Sequence, residues 1–339
     1  MQKTEPTPIA ARTRLDWIDA LRAIAMFFVV CVHSCYGQRG WWIYNVFIGP
    51  LMLPLFFAIS GYLFNHREGN QAKFFKGMLL KLIIPWFVLS FNWLRLLLIP
   101  VKGFHYWYDH FYSLVSGNLS WFMPALVIGE VVFFYIRKFC KKPLQVAVAC
   151  CVVTVLGFVL HFVGVGEFAM FNRALIAQSF LLIGYLCRQH QDRLARVGKG
   201  QLAILAAAYL GLGVLSCALM PGQYIDVHLN QYQSILLCFA MIFIGCTALF
   251  IAAPRISRYP RWLVFLGQNT LVCYFFHLKG LQYIYKAFLR IGLDLTNNWI
   301  FSGARAVGVI IACALASLVI NRIFPEGVGR RRIRKSAKA

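Results

Sequence analysis

The stretch Leu21–Cys35 reads LRAIAMFFVVCVHSC, and its two ionisable residues, Arg22 and His33, stand eleven positions apart. Eleven residues make almost three whole helical turns, so both side chains leave one face, about 16 Å apart along the axis. A charge inside a membrane costs several kcal/mol unless it is paired or hydrated. Such a stripe must therefore line a water-filled cavity or a protein interior. The separation is too long for direct proton relay. It suits a long, thin ligand with an anionic head at Arg22 and a reactive end at His33. An imidazole there can act as a general base or as a nucleophile.

Other candidates are Lys81, Arg95, Glu130, His277 and Arg305, all in or at the ends of apolar runs. Lys81 and Arg95 read equally as side chains reaching from span ends to the surface. Depth divides the rest. Ser60 and Gly61 in FFAISGYLF, with Glu130, fall at the level of Arg22, and Trp121, His277 and Arg305 at the level of His33. Glu130 is expected to pair with Arg22 rather than act as a base, since a carboxylate alone there would be protonated. His277 reads equally as a substrate contact and as an interhelical hydrogen-bonding residue. The outer loop GQYIDVHLNQYQ supplies Asp226, His228, Asn230 and Tyr232 for a polar ligand, with Trp121 and Arg305 at the same side, although an ordinary hydrated loop reads the same way. GQNT (Gly267–Thr270) serves equally as a helix break or cap and as a hydrogen-bonding contact to a donor.

These residues need a scaffold, and composition says which. The 339 residues are 60% hydrophobic and 13% charged, against roughly half and a quarter in soluble domains. Several apolar runs approach the ~20 residues that cross a bilayer. The expectation is an all-α, polytopic membrane protein of ten helices, at about 17–35, 44–64, 77–99, 119–136, 144–163, 172–187, 201–219, 233–253, 263–283 and 298–322. Three segments follow: a basic arm 1–16, a membrane domain 17–323 and a basic tail 324–339. No internal repeat is visible, and no cleavable leader is expected before the first span. Of the 34 lysines and arginines, 23 fall on the side that holds both termini and 4 on the other, which makes the termini cytoplasmic. The net charge of +23 therefore reflects topology and contact with anionic lipid, not nucleic acid. The eleven cysteines lack metal-type spacing and read as small buried hydrophobes, so no metal is expected.

The blocks LDWIDALRAIAMFFVVCVH, PLFFAISGYLF, WFMPALVIGE, FLLIGYLCR and LGQNTLVCYFFH resemble, in order, those of the type-3 membrane acyltransferases, the polysaccharide O-acetyltransferases. The resemblance runs from Arg14 to about Arg322. It implies a ten-helix bundle in the bacterial inner membrane that takes an acyl group, acetyl first of all, from cytoplasmic acyl-CoA. The acceptor would be a hydroxyl of a cell-envelope glycan or lipid-linked sugar on the outer side. It gives Arg22 and His33 the family's essential positions, and coenzyme A has the expected shape. Members often carry two arginines just before the third helix; here KFFKGMLLKLIIPW offers Lys73, Lys76 and Lys81. Lysine lacks the bidentate phosphate grip of arginine, so Lys76, Lys81 and Arg22 are expected to hold the anionic head in another geometry. The esterase-like domain fused to some members is not among these blocks, so a second transfer step would use other polysaccharide-assembly proteins. The competing readings are a glycan or lipid-linked sugar flippase, for which internal repeats and broken helices would speak, and a succinyltransferase of the same architecture.

Overall fold

The computed structural model describes residues 15–64, 71–90, 104–292 and 298–325. Most of the expected arm and tail, and Arg95, lie outside them. The chain is built from α1 (Asp16–Cys35), α2 (Trp41–Ile48), α3 (Leu53–Phe64), α4 (Gln71–Met78), α5 (Ile84–Ser90), α6 (Phe104–Ser116), α7 (Phe122–Phe139) and α8 (Pro143–Phe162). It continues with α9 (Phe171–Ile176), α10 (Gln178–Gln189), α11 (Gln191–Ala195), α12 (Lys199–Leu219), α13 (Ile235–Ala252), α14 (Arg261–Gln268), α15 (Thr270–Arg290) and α16 (Trp299–Ile323). Strands β1 (Ile225–Asp226) and β2 (Gln231–Tyr232) pair antiparallel, with Ile225 opposite Tyr232.

Six helical stretches are long and apolar enough to cross a membrane: α1, 41–64, α8, α12, 235–255 and α16. The pair around Ala177, bent by 45°, makes a seventh if taken as one span. The ten expected segments are all helical where described, but several are not continuous. A 3-10 turn with Pro50 interrupts 41–64, because proline has no N–H for the ladder. Residues 79–83 form a π turn, with the Ile84 N–H reaching Leu79 O. Proline clashes with the carbonyl four residues before it, and for Pro85 that carbonyl belongs to Lys81, so the wider turn makes room. The chain also breaks at Ala177, where the apolar run predicts a continuous helix, and at Asn269, within GQNT. Of the two roles open to GQNT, the helix break is the one seen. Helix α6 occupies what reads as a loop, since its run of Tyr, Trp and His carries polar atoms that mask an apolar period.

Burial sorts the helices into centre and rim. The spans of α1 and 41–64 are 72% buried, while those of α8, α12 and α16 are only 17–22% buried. Val148, Val152 and Val155 line an exposed face of α8, as Val307, Ile311 and Leu315 do on α16. Apolar faces of this extent are stable against lipid, not water. The protein is an all-α polytopic membrane protein in which the helix carrying Arg22 and His33 lies at the centre.

Lipid gives helices no hydrophobic reason to associate, so close packing through small residues must hold the bundle. Two places show this. A Cβ on Gly61 of α3 would run into the Leu181 carbonyl of α10, and one on Gly184 of α10 into the Ala58 carbonyl of α3. Gly61, expected from its depth to contact the donor, has the Leu181 backbone on the side where a Cβ would stand. At the second place, Gly267 of α14 lies against the Asp19 backbone of α1. Asn269 then ends α14, donating to Phe265 O at 2.7 Å and accepting from Asn321 of α16 at 2.9 Å. A polar break inside the bundle is thus satisfied on both sides.

Candidate active site

His33 occupies the last turn of α1. It is exposed, while Val32 and Ser34 on either side are buried. Its ring leaves the packed surface of α1 and comes within 5.3 Å of the His277 ring on α15, centroid to centroid. His277 is only 3% exposed, and its Nδ1 lies 3.0 Å from Cys273 O and 2.7 Å from Tyr274 O. Carbonyl oxygens only accept, so Nδ1 must carry the hydrogen and Nε2 is left with a free lone pair. That Nε2 is buried and has no hydrogen-bond partner among the described residues. Two imidazoles, one accessible and one with a fixed tautomer, thus stand side by side.

The end of α1 is tied down next to this pair. Ser34 Oγ donates to Ser302 O at 2.7 Å. Arg305 of α16 donates through Nε to Ser34 Oγ at 3.1 Å and through its Nη2 to Ser34 O. Gln38 donates to Ser302 Oγ and, at 3.3 Å, to Asn298 O. Arg305, expected at the acceptor, is thus bonded to the residue that follows His33. Arg305→Gln should lower turnover roughly 10- to 100-fold, since loss of near-attack geometry costs factors of that size. The fold should survive. Steady-state kinetics on a variant with wild-type thermal stability checks this; unchanged kcat would remove Arg305 from the positioning of His33.

The acceptor-side candidates also meet. Trp121 stacks on His228 with centroids 5.1 Å apart and planes at 27°. Ring contacts connect this pair to the histidines: Trp121 to Phe122 at 6.1 Å, Phe122 to Tyr274 at 5.6 Å and Tyr274 to His277 at 6.2 Å. Asp226 has a local task, accepting from the His228 and Leu229 amides at 2.8 and 3.2 Å and so shaping the turn. Burial lowers the His228 pKa and outweighs the opposing pull of Asp226, so a neutral ring faces Trp121. Tyr232 lies among Phe158 and Phe239 rings, and both it and Asn230 are buried. Arg173, which no spacing in the sequence singles out, holds the hairpin: Nε donates to His228 O at 2.8 Å, and Nη1 donates to Glu167 and to Asn172 Oδ1.

At the other end of α1, Arg22 is paired with Asp19 at 3.1 Å, and Asp19 is 2% exposed. This partner, one turn away in DALR, is legible from its i,i+3 spacing. Glu130 of α7 accepts a hydrogen bond from Ser60 Oγ of α3, which joins two of the residues that depth places in one layer.

A family model for an acyltransferase domain matches residues 15–318, nearly the whole chain. The chain belongs to the acyltransferase 3 family. Comparison with curated proteins and with solved structures finds no match. The protein is thus a membrane acyltransferase, and its family implies an acyl donor and an acceptor.

In this acyltransferase, Lys76 and Lys81 are exposed, on α4 and on the π turn. Phe74 seats α4 against Phe64 of α3 and Phe134 of α7, with centroids 5.7 and 4.5 Å apart. The lysines therefore stand at the α3–α7 end, and Arg22 on the central helix. No group of three or more His, Cys, Asp or Glu suited to a metal occurs among the described residues. Beyond His33, the acyltransferase also presents an aromatic row that sequence patterns do not show: Tyr36, Trp41 and Tyr224, with successive centroids 4.7 Å apart. Tyr224 joins Tyr36 and Trp41 from a distant part of the chain, so no local pattern announces the row.

Proposed function

We propose that this acyltransferase moves an acetyl group from cytoplasmic acetyl-CoA to a hydroxyl of a cell-envelope glycan or lipid-linked sugar at the outer side of the inner membrane. The observation that carries the reading is the His33–His277 pair, at 5.3 Å, at the opposite end of α1 from the Asp19–Arg22 pair. Arg22 and its surroundings receive the anionic donor head, and the pantetheine arm follows α1 for about 16 Å to His33. Ser60, Lys76 and Lys81 remain candidates for the donor side, and Trp121, Asp226, His228 and Arg305 for the acceptor side.

The acceptor hydroxyl approaches His33, and the His277 Nε2 lone pair accepts from a neighbouring hydroxyl of the sugar. His33 removes the acceptor hydroxyl's proton as that oxygen attacks the thioester carbonyl. The Arg305 charge, held at the end of α1, favours the resulting oxyanion. Collapse breaks the C–S bond, and the departing thiolate takes its proton from the His33 imidazolium. The alternative, transfer through an acyl-histidine, uses the same nitrogen as nucleophile.

Inside-out vesicles should consume external acetyl-CoA and acetylate the trapped glycan, whereas sealed right-side-out vesicles should not. The reverse pattern would overturn the direction. Succinyl-CoA in the same assay tests donor length. The helix breaks at Ala177 and Asn269 are what a flippase would use; glycan movement without acetylation would favour that reading. Arg22→Lys should raise the acetyl-CoA KM about tenfold, because charge survives but the planar fork is lost. Equal KM values would take Arg22 out of donor binding.

A further inference from the structure

On the face of the bundle where α1 begins, two adjoining recesses of about 240 and 290 Å³ share the walls Tyr259 and Arg261. The first is completed by Asp16, Val264, Phe265 and Gln268, and the second by Arg258 and Pro260. Both are open to the surface, so together they form one shallow groove.

The walls are preorganised. Tyr259 donates its hydroxyl to Ala253 O at 2.7 Å, which fixes the ring. Arg255 donates to the carbonyls of Leu194, Ala195 and Val197 at 3.1, 3.4 and 2.5 Å and so locks the loop to the end of α11. Prolines 254 and 260 stiffen the same segment. Arg258 and Arg261 are exposed, and neither has an acidic partner among the described residues. Two uncompensated guanidinium groups beside a fixed aromatic ring match a phosphorylated, planar ligand. Asp16 can accept from an exocyclic amine.

We propose that this groove binds the phosphorylated adenosine head of the acyl donor, a role that rests on the donor being an acyl-CoA. Position along α1 agrees. Gly267 packs on Asp19, the partner of Arg22, so the groove adjoins that ion pair. Asp16 lies six residues before Arg22, about 9 Å further from His33. An extended donor therefore has its adenosine in the groove, its pyrophosphate near Arg22 and its thioester at His33.

The test uses full-length protein in phosphatidylcholine nanodiscs, with adenosine 3′,5′-bisphosphate as probe and binding read by calorimetry. The wild type should bind it. Arg258→Gln with Arg261→Gln should weaken binding roughly tenfold or more, as loss of charge-assisted hydrogen bonds implies. Tyr259→Leu should weaken it independently of charge. In transfer assays the double variant should raise the acetyl-CoA KM by a similar factor with kcat within about twofold. Absence of wild-type binding, or unchanged affinity in both variants, overturns the proposal. So does a double variant that loses only phosphatidylglycerol, read by native mass spectrometry, because the arginines would then be lipid contacts. Bisphosphate binding is read without turnover, so failure to find any acetyl transfer would count against the proposed function and leave the groove standing.

Discussion

His33→Gln is expected to lower acyl transfer by roughly 10²-fold or more, the scale of lost general-base catalysis. Glutamine can keep a hydrogen bond between helices but cannot take a proton at neutral pH, so the substitution separates a catalytic histidine from a structural one. If the proposed function holds, acetyl-CoA should still bind, because the head contacts it assigns lie about 16 Å away along α1. The fold should hold too, since the His33 ring is exposed and the end of α1 is secured by Ser34, Arg305 and Gln38. Purified, folded His33→Gln that retained wild-type turnover would end the assignment of His33 as base or acyl carrier.

Gly267→Val is expected to have the largest effect on stability. The position a Cβ would take is already filled by the Asp19 backbone. Backbone atoms cannot rotate aside as a side chain can, so α14 would have to leave α1. Overpacking usually costs 1–3 kcal/mol, and with no soft neighbour the loss should be about 3 kcal/mol or more. The displacement falls beside the Asp19–Arg22 pair, so donor binding should weaken as well. Thermal unfolding in detergent, with Gly267→Ala as the milder variant, reads this directly. An unchanged melting temperature for Gly267→Val would mean that the two helices can separate without cost.

Part of the site is legible in the amino-acid sequence. Arg22 and His33 share one face because eleven residues of helix always nearly close three turns. Ser60 and Glu130 fall into one layer by depth and are hydrogen-bonded. Trp121 and His228 both read as outer and are stacked. Depth also nominates Glu130 as a counter-ion of Arg22, and the structure shows Asp19 beside Arg22 on the same helix. The i,i+3 spacing in DALR carries that signal. Depth places Gly61 in the same layer, and only packing shows the Leu181 backbone against it.

By itself the sequence determined the membrane environment, the all-α class, the family and the polar face of the first helix. Hydropathy, charge asymmetry and helical period are local properties, carried by each segment wherever it packs. The tertiary structure alone decided that His277 meets His33 from the far end of the chain, that Arg305 grips the neighbour of His33, and that Arg173 holds the hairpin beneath Trp121. It also decided where helices break and which glycines admit a neighbouring backbone. Each of these depends on how one helix is rotated and shifted against another. Depth along the membrane is one coordinate of that relation, and rotation and lateral position come only from packing the whole bundle.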